Sequence, residues 1–273
     1  MDITFGKGPL IELIAELRWT PQGSTSMAPL PLQHSHAPTL FLGGTKQEEF
    51  YMSIGAALYN RGFNRSERLS PAGFPFMVQQ AVYRFMSEAE DKKSVMYQVG
   101  YGIFSVHALP PYHSWSKFLP FVTDGVDILL GSRLEADSKL PFEQVSLHYI
   151  DFFGQELMQG QDVQSFISGV LGISVVLPEA ITRSAASKEI KGLYTKVGLP
   201  IKIGELTLSV GDGRFSGQNG VILDWLASSH EVAADRTAIM GVLGSAHDLI
   251  HGSFLELTRP IFQLMEPEAA STL

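Results

Sequence analysis

Apolar and polar residues first alternate cleanly just after Leu10. Ile11, Leu13, Ala15, Leu17 and Trp19 fall on one side and Glu12, Ile14, Glu16 and Arg18 on the other, which predicts a β-strand with one face in a core. From Thr20 to Leu42 the chain is rich in Pro, Ser and His and has no period, so a long loop is expected there. Lys46 to Asn60 reads as a helix, with Phe50, Ile54 and Leu58 at helical spacing and Gly62 as its stop. Strands follow at Gln79 to Ser87, Ser94 to Val99 and Ile103 to Ala108, separated by a charged turn at Glu88 to Lys93 and a hairpin at Gly100-Tyr101-Gly102.

A helix is expected from about Ser114 to Gly131, its apolar face built from Trp115, Phe118, Leu119, Val122, Val126 and Leu129; Pro120 predicts a kink or a later start. Phe142 to Phe153 returns as a strand, on which Val145, Leu147, Tyr149 and Asp151 share one side. A short helix from Asp162 to Leu171 then leads to strands near Ile181 to Ala186, Gly192 to Leu199, Glu205 to Val210 and Gly220 to Ala227, with Asp212-Gly213 as the hairpin signal between the last two. The longest helical pattern closes the chain, Ala234 to Arg259, with Ile239, Leu243, Ala246, Ile250, Phe254 and Leu257 in one stripe. This order predicts an α+β fold of antiparallel sheets with long helices laid on them, divided into halves at 1–155 and 156–273.

Composition narrows the function classes. Charged residues are 18% of the 273, below the roughly 25% usual in soluble domains, which suggests either a large buried fraction or a surface covered by a protein partner or a second copy of the chain. A formal charge of −8 disfavours general binding to nucleic acid. There is no cysteine, which removes disulfides, thiolate metal sites and cysteine nucleophiles together. The N-terminal stretch lacks the pattern of a secretory signal and no apolar run is long enough for a membrane span, so a cytoplasmic protein is expected.

Several patterns suggest chemistry. His247, Asp248 and His251 spell H-D-x-x-H on the last helix, which places two imidazoles one turn apart as candidate metal ligands; Asp stands where zinc proteases have Glu, and no third ligand is evident. The reading preferred for His247 is a core-edge histidine bonded to a neighbouring strand, and no cofactor is expected. Glu12 and Glu16 share a strand face, but their Cα atoms are roughly 13 Å apart, wider than the about 5 to 9.5 Å of glycosidase pairs, and a pairing of Glu16 with Arg18 is the plainer expectation. The glycines between Gly211 and Gly217 read as a turn, there is no G-x-S-x-G, and His34 and His36 read as solvated loop residues. Arg61, Arg65 and Arg68 form one basic cluster; Arg183, Lys188, Lys191, Lys196 and Lys202 form a diffuse second one.

Four stretches carry a likeness along the whole chain. They are Pro9 to Glu12 leading into Glu16-Leu17-Arg18-Trp19; Gln98 to Phe104 with Pro111 to Trp115 and Phe118; Leu147 to Asp151; and Ala246-His247 through Ile250 to Phe254. In these the chain resembles the TIGR "sporadically distributed" family of uncharacterised bacterial proteins. The third stretch has His148 and Asp151 where that family has Arg and Asn. The resemblance implies a patchily inherited gene of the kind seen in defence or toxin–antitoxin systems, and implies no activity.

The expected function is therefore a non-catalytic binding or adaptor protein acting in a complex, with Arg61, Arg65, Arg68, Tyr112 and Trp115 as its candidate binding residues. A rival reading is a hydrolase or nuclease-like enzyme using Glu12, Glu16, Arg18, His148, Asp151 and His247; a third is nucleic-acid recognition through the arginines. The first two are separable by geometry, according to whether Glu16, Asp151 and His247 meet in one pocket.

Overall fold

A computed structural model describes residues 3–22, 40–41, 45–70, 76–112, 114–183, 185, 190 and 192–269. Strands β1 (Ile3–Phe5), β2 (Leu10–Arg18) and β3 (Leu40–Phe41) precede helix α1 (Thr45–Asn60). Strands β4 (Arg65–Arg68), β5 (Phe76–Met77), β6 (Tyr83–Met86), β7 (Val95–Gly100) and β8 (Ile103–Ala108) lead to helix α2 (Trp115–Ser132) and strand β9 (Phe142–Phe153). Three short helices, α3 (Gln155–Met158), α4 (Val163–Gly169) and α5 (Glu179–Thr182), precede β10 (Tyr194–Ile201), β11 (Gly204–Phe215) and β12 (Gln218–Val232). The chain ends in α6 (Arg236–Leu257), a 3-10 segment Arg259–Met265 and β13 (Pro267–Ala269).

Nine strands form one antiparallel sheet in the order β10-β11-β12-β9-β2-β8-β7-β6-β4. The fold is α+β, with α6 lying on β9 and β12 and α2 on β7 and β8. Alternation decides which residues those helices cover. Leu13, Ala15 and Leu17 of β2, Phe104 and Val106 of β8, Leu147 and Phe153 of β9 and Leu223 and Ala227 of β12 are buried on the helix side. The opposite face carries Glu12, Glu16 and Arg18 of β2, Ser105 and His107 of β8 and Ser146 and His148 of β9.

Caps and stops set the helix limits. The Ser114 side chain accepts from the Lys117 N–H at the start of α2, and Asp235 accepts from Ala238 at the start of α6. Helix α1 closes with Gly62 N donating to Tyr59 O at 2.9 Å and Phe63 N to Leu58 O at 3.0 Å, the paired bonds of a glycine stop. The stripe expected on α6 is the buried one, with Ile239, Leu243, Ala246, Ile250 and Phe254 inside and Leu257 partly covered.

Two expectations fail locally. The strand expected near Ile181 to Ala186 is instead α5 followed by irregular chain at residue 185, with residues 184 and 186 outside the described set; the β-branched residues that suggested it, Ile181 and Thr182, lie in that short surface helix. Asp212-Gly213 is not the hairpin turn. It lies inside β11, and the turn comes at Ser216-Gly217, whose φ angles of 48° and 82° match the twist of the flanking strands. Both strands are therefore longer than their apolar alternation suggested. The division expected after residue 155 follows β9 directly, and β9 pairs with β12 from Phe153↔Val221 to Phe142↔Val232, so one sheet serves both halves.

The first and last described strands meet. β1 pairs with β13, Gly6 N donates to Glu266 O at 2.9 Å, and Lys7 bridges Glu156 at 2.8 Å and Glu266 at 3.0 Å. That junction holds the first residues of the chain against α6, where Phe5 meets Phe254 edge-on at 6.1 Å.

Candidate functional site

The sheet separates the residues that sequence reasoning grouped. On the open face, Glu16 pairs with Arg18 at 2.6 Å and His148 with Asp224 at 2.5 Å. Glu12 accepts from His107 Nδ1 at 2.8 Å, and this bond, opposed by partial burial, holds its carboxyl below the usual range. With Nδ1–H given to Glu12, His107 Nε2 accepts the Ser105 hydroxyl at 2.8 Å. The order Ser105-His107-Glu12 is that of a nucleophilic relay. Ser105 and His107 are buried and Glu12 is partly exposed, so the three side chains tie β2 to β8 across the sheet face, with Ser105 at the covered end. Residue spacing alone does not reveal it, because β2 and β8 are adjacent only in the folded sheet.

On the helix side, β9 directs Tyr149 and Asp151 at α6, and α6 answers with His247. The Tyr149 hydroxyl is hydrogen-bonded to His247 Nδ1 at 2.7 Å, as the edge-of-core reading of His247 expects. Trp115 stacks on the His247 ring at 4.6 Å with 9° between planes, and His251 stacks with it at 5.3 Å and 19°. The two imidazoles of H-D-x-x-H thus lie face to face, and neither Asp nor Glu joins them in a group of three among the described residues. Parallel rings aim their nitrogens alongside one another, whereas a shared metal needs them to converge.

Beside this stack is a cavity of about 100 Å³. Its walls come from five places: the segment from Ile3 to Leu10, Tyr112 to Trp115, Tyr149 and Asp151, His247 to His251, and Phe254. Asp151 forms the polar end. Its residue is 3% exposed, and its carboxyl has neither hydrogen bond nor ion pair among the described residues. Burial, with a smaller push from the Asp224 carboxylate on β12, raises it to about 8. The sequence did contain this signal, an aspartate in register with Val145, Leu147 and Tyr149 on a core-facing side, although nothing in the sequence showed the cavity in front of it.

Of the candidates, Asp151, His247, His251, Tyr112 and Trp115 come together here. Glu12, Glu16, Arg18 and His148 lie on the other side of the sheet. Arg61 pairs with Asp124 at 3.2 Å, while Arg65 and Arg68 occupy the exposed edge strand β4. Arg183 lies near Glu179 on the surface and Lys196 on β10, so the second basic set has no common site among the described residues. Lys188 and Lys191, and His34 and His36 with most of the expected Thr20 to Leu42 loop, lie outside the described residues. No described helix is long and apolar enough to cross a membrane.

No protein-family model, curated protein or solved structure matches the chain.

Proposed function

We propose that the chain is a non-catalytic binding protein that takes a small ligand group into the cavity between β9 and α6. One observation carries the reading. A buried carboxyl without a partner is costly, and Asp151 stands at the end of an aromatic-walled cavity where a ligand would supply that partner. Ligand sites are typically lined by apolar and aromatic side chains with a few placed polar groups, which is the make-up of this lining. We place this protein in the cytoplasm, working in a complex, with a bacterial defence context drawn from the family resemblance.

A fragment screen by ligand-observed NMR tests the proposal. Fragments that bind the wild-type protein and not Asp151→Asn, and that are recovered unaltered, would support it; a screen in which both proteins bind the same fragments equally would sink it.

One observation favours a second reading, an enzyme moving protons. A carboxyl pushed up to about 8 beside an imidazole has the acidity expected of a general acid or base near neutral pH. Chemical change in a bound fragment, lost in Asp151→Asn, would favour it over simple binding. The hydrolase or nuclease-like version needs Glu16 and Arg18 at the same centre, and the sheet stands between them and Asp151. Recognition of nucleic acid draws little support, with Arg61 tied to Asp124 and a net charge of −8.

A further inference from the structure

Resting on that reading of the cavity, we infer that the group it takes is a small organic cation, an ammonium or guanidinium head that pairs with the Asp151 carboxylate and lies against the surrounding aromatic rings. The walls favour positive charge. Among the described lining residues Asp151 is the one carboxylate, and none is a lysine or arginine. The two histidine rings among them stack 5.3 Å apart, and Nδ1 of His247 is engaged by Tyr149. Once ionised, the Asp151 carboxylate would repel an anion entering beside it.

Aromatic faces supply the rest. Trp115, Tyr112, Phe5 and Phe254 all line the cavity, and a desolvated cation gains from such rings when it lies within about 6 Å of their centres. Size sets the limit. At about 100 Å³ the space is smaller than the roughly 150 Å³ cavity that accepts benzene, so it fits a head group and excludes a nucleotide. The head can belong to a free amine or to a lysine or arginine side chain of a protein partner, since the chemistry at Asp151 is the same.

Binding of a cation is linked to protons. Among the described residues, the titratable groups lining the cavity with Asp151 are Tyr149 on its own strand, His247 and His251 from α6 and Tyr112 from the segment before α2, while Asp224 of β12 acts on it from the other face of the sheet; the lining residues between Ile3 and Leu10 include none. With its carboxyl near 8, Asp151 is mostly protonated at pH 7 and must lose that proton to hold a cation.

The test is calorimetry on the full chain with n-propylammonium and methylguanidinium, with acetamide and propionate as neutral and anionic probes, and with Nα-acetyl-lysine methylamide as the side-chain form. We expect millimolar binding of both cations at pH 8.5, weakening about tenfold per unit below pH 8 and releasing about 0.9 proton at pH 7. Asp151→Asn should abolish it while keeping the wild-type circular dichroism. If Asp151→Asn does not fold, the proton release and pH profile of the wild-type protein decide the matter alone. Tighter binding of the blocked lysine than of propylammonium would assign the head to a polypeptide, and the reverse to a free amine. If acetamide or propionate binds and the cations do not, the cationic assignment is overturned while the cavity reading stands. If none of the probes binds, both fall.

Discussion

Asp151 and Glu12 sit on adjacent strands and lean in opposite directions with pH, because one carboxyl is buried with no partner among the described residues and the other has His107. A raised carboxyl binds protons in the folded state that the unfolded chain has released, so its contribution to stability is full below the ordinary aspartate range and is lost as pH climbs toward about 8. We therefore expect the melting temperature of the ligand-free protein to fall between pH 5 and pH 8, and Asp151→Asn to flatten that slope. A slope unchanged in the variant would mean that Asp151 is not the group responsible. Glu12 has the opposite sign: its stabilisation is present above the unfolded carboxylate value and is lost as pH drops through the lowered folded one. At the same scale, His247→Ala removes a stacked ring and leaves the Tyr149 hydroxyl without its Nδ1 partner, which should cost about 2–4 kcal/mol in denaturant unfolding. A His247→Ala protein of normal stability would show the histidine to be serving the ligand and not the fold.

Helices α2 and α6 both contain glycines, and the sequence treats them alike. Packing does not. A methyl group on Gly125 of α2 would lie 2.9 Å from both Tyr97 and Val106, so the helix approaches the sheet here only because the side chain is missing. Gly125→Ala should destabilise by about 1–3 kcal/mol through overpacking. Gly241, Gly244 and Gly252 of α6 would place a methyl group in open space, and each change to alanine should stabilise by about 0.5–1 kcal/mol by helix propensity alone. Denaturation midpoints moving in opposite directions for the two sets would bear this out; parallel shifts would contradict the packing of α2 on β7 and β8. The helices themselves were legible, since a 3.6-residue stripe needs only its own residues to be seen, and Phe142 to Phe153 was read to its ends for the same reason at period two. The turn at Ser216-Gly217 was missed because an Asp-Gly pair that favours turning can also sit where a strand needs a small residue, and Gly213 lies against Ile222 of β12.

Across the whole molecule, the cavity depends on the first and last described strands being brought together. β13 holds β1, and the segment that follows β1 forms one wall beside Asp151. Truncation after Met265 should loosen residues 3–10, seen as faster amide exchange there, and weaken any ligand that depends on Asp151. Exchange confined to the new C-terminus would show that the first strand holds its place without β13. The continuous pairing of β9 with β12 has a second consequence. Residues 1–155 alone would expose the long edge of β9, so we expect that fragment to be insoluble or unfolded and the full chain to unfold in one cooperative step.

By itself the sequence determined the α+β composition of elements, the buried stripe of the last helix and the presence of an aspartate on the apolar side of a strand, because each is a local period written within one segment. Tertiary structure decided which of those faces meet. It placed Glu12, Glu16 and His148 on one side of a sheet and Asp151 and His247 on the other, a separation fixed by strand order and register across residues more than two hundred positions apart. It also left space in front of Asp151, and a cavity is a property of how surfaces fail to fill one another, which no single segment encodes.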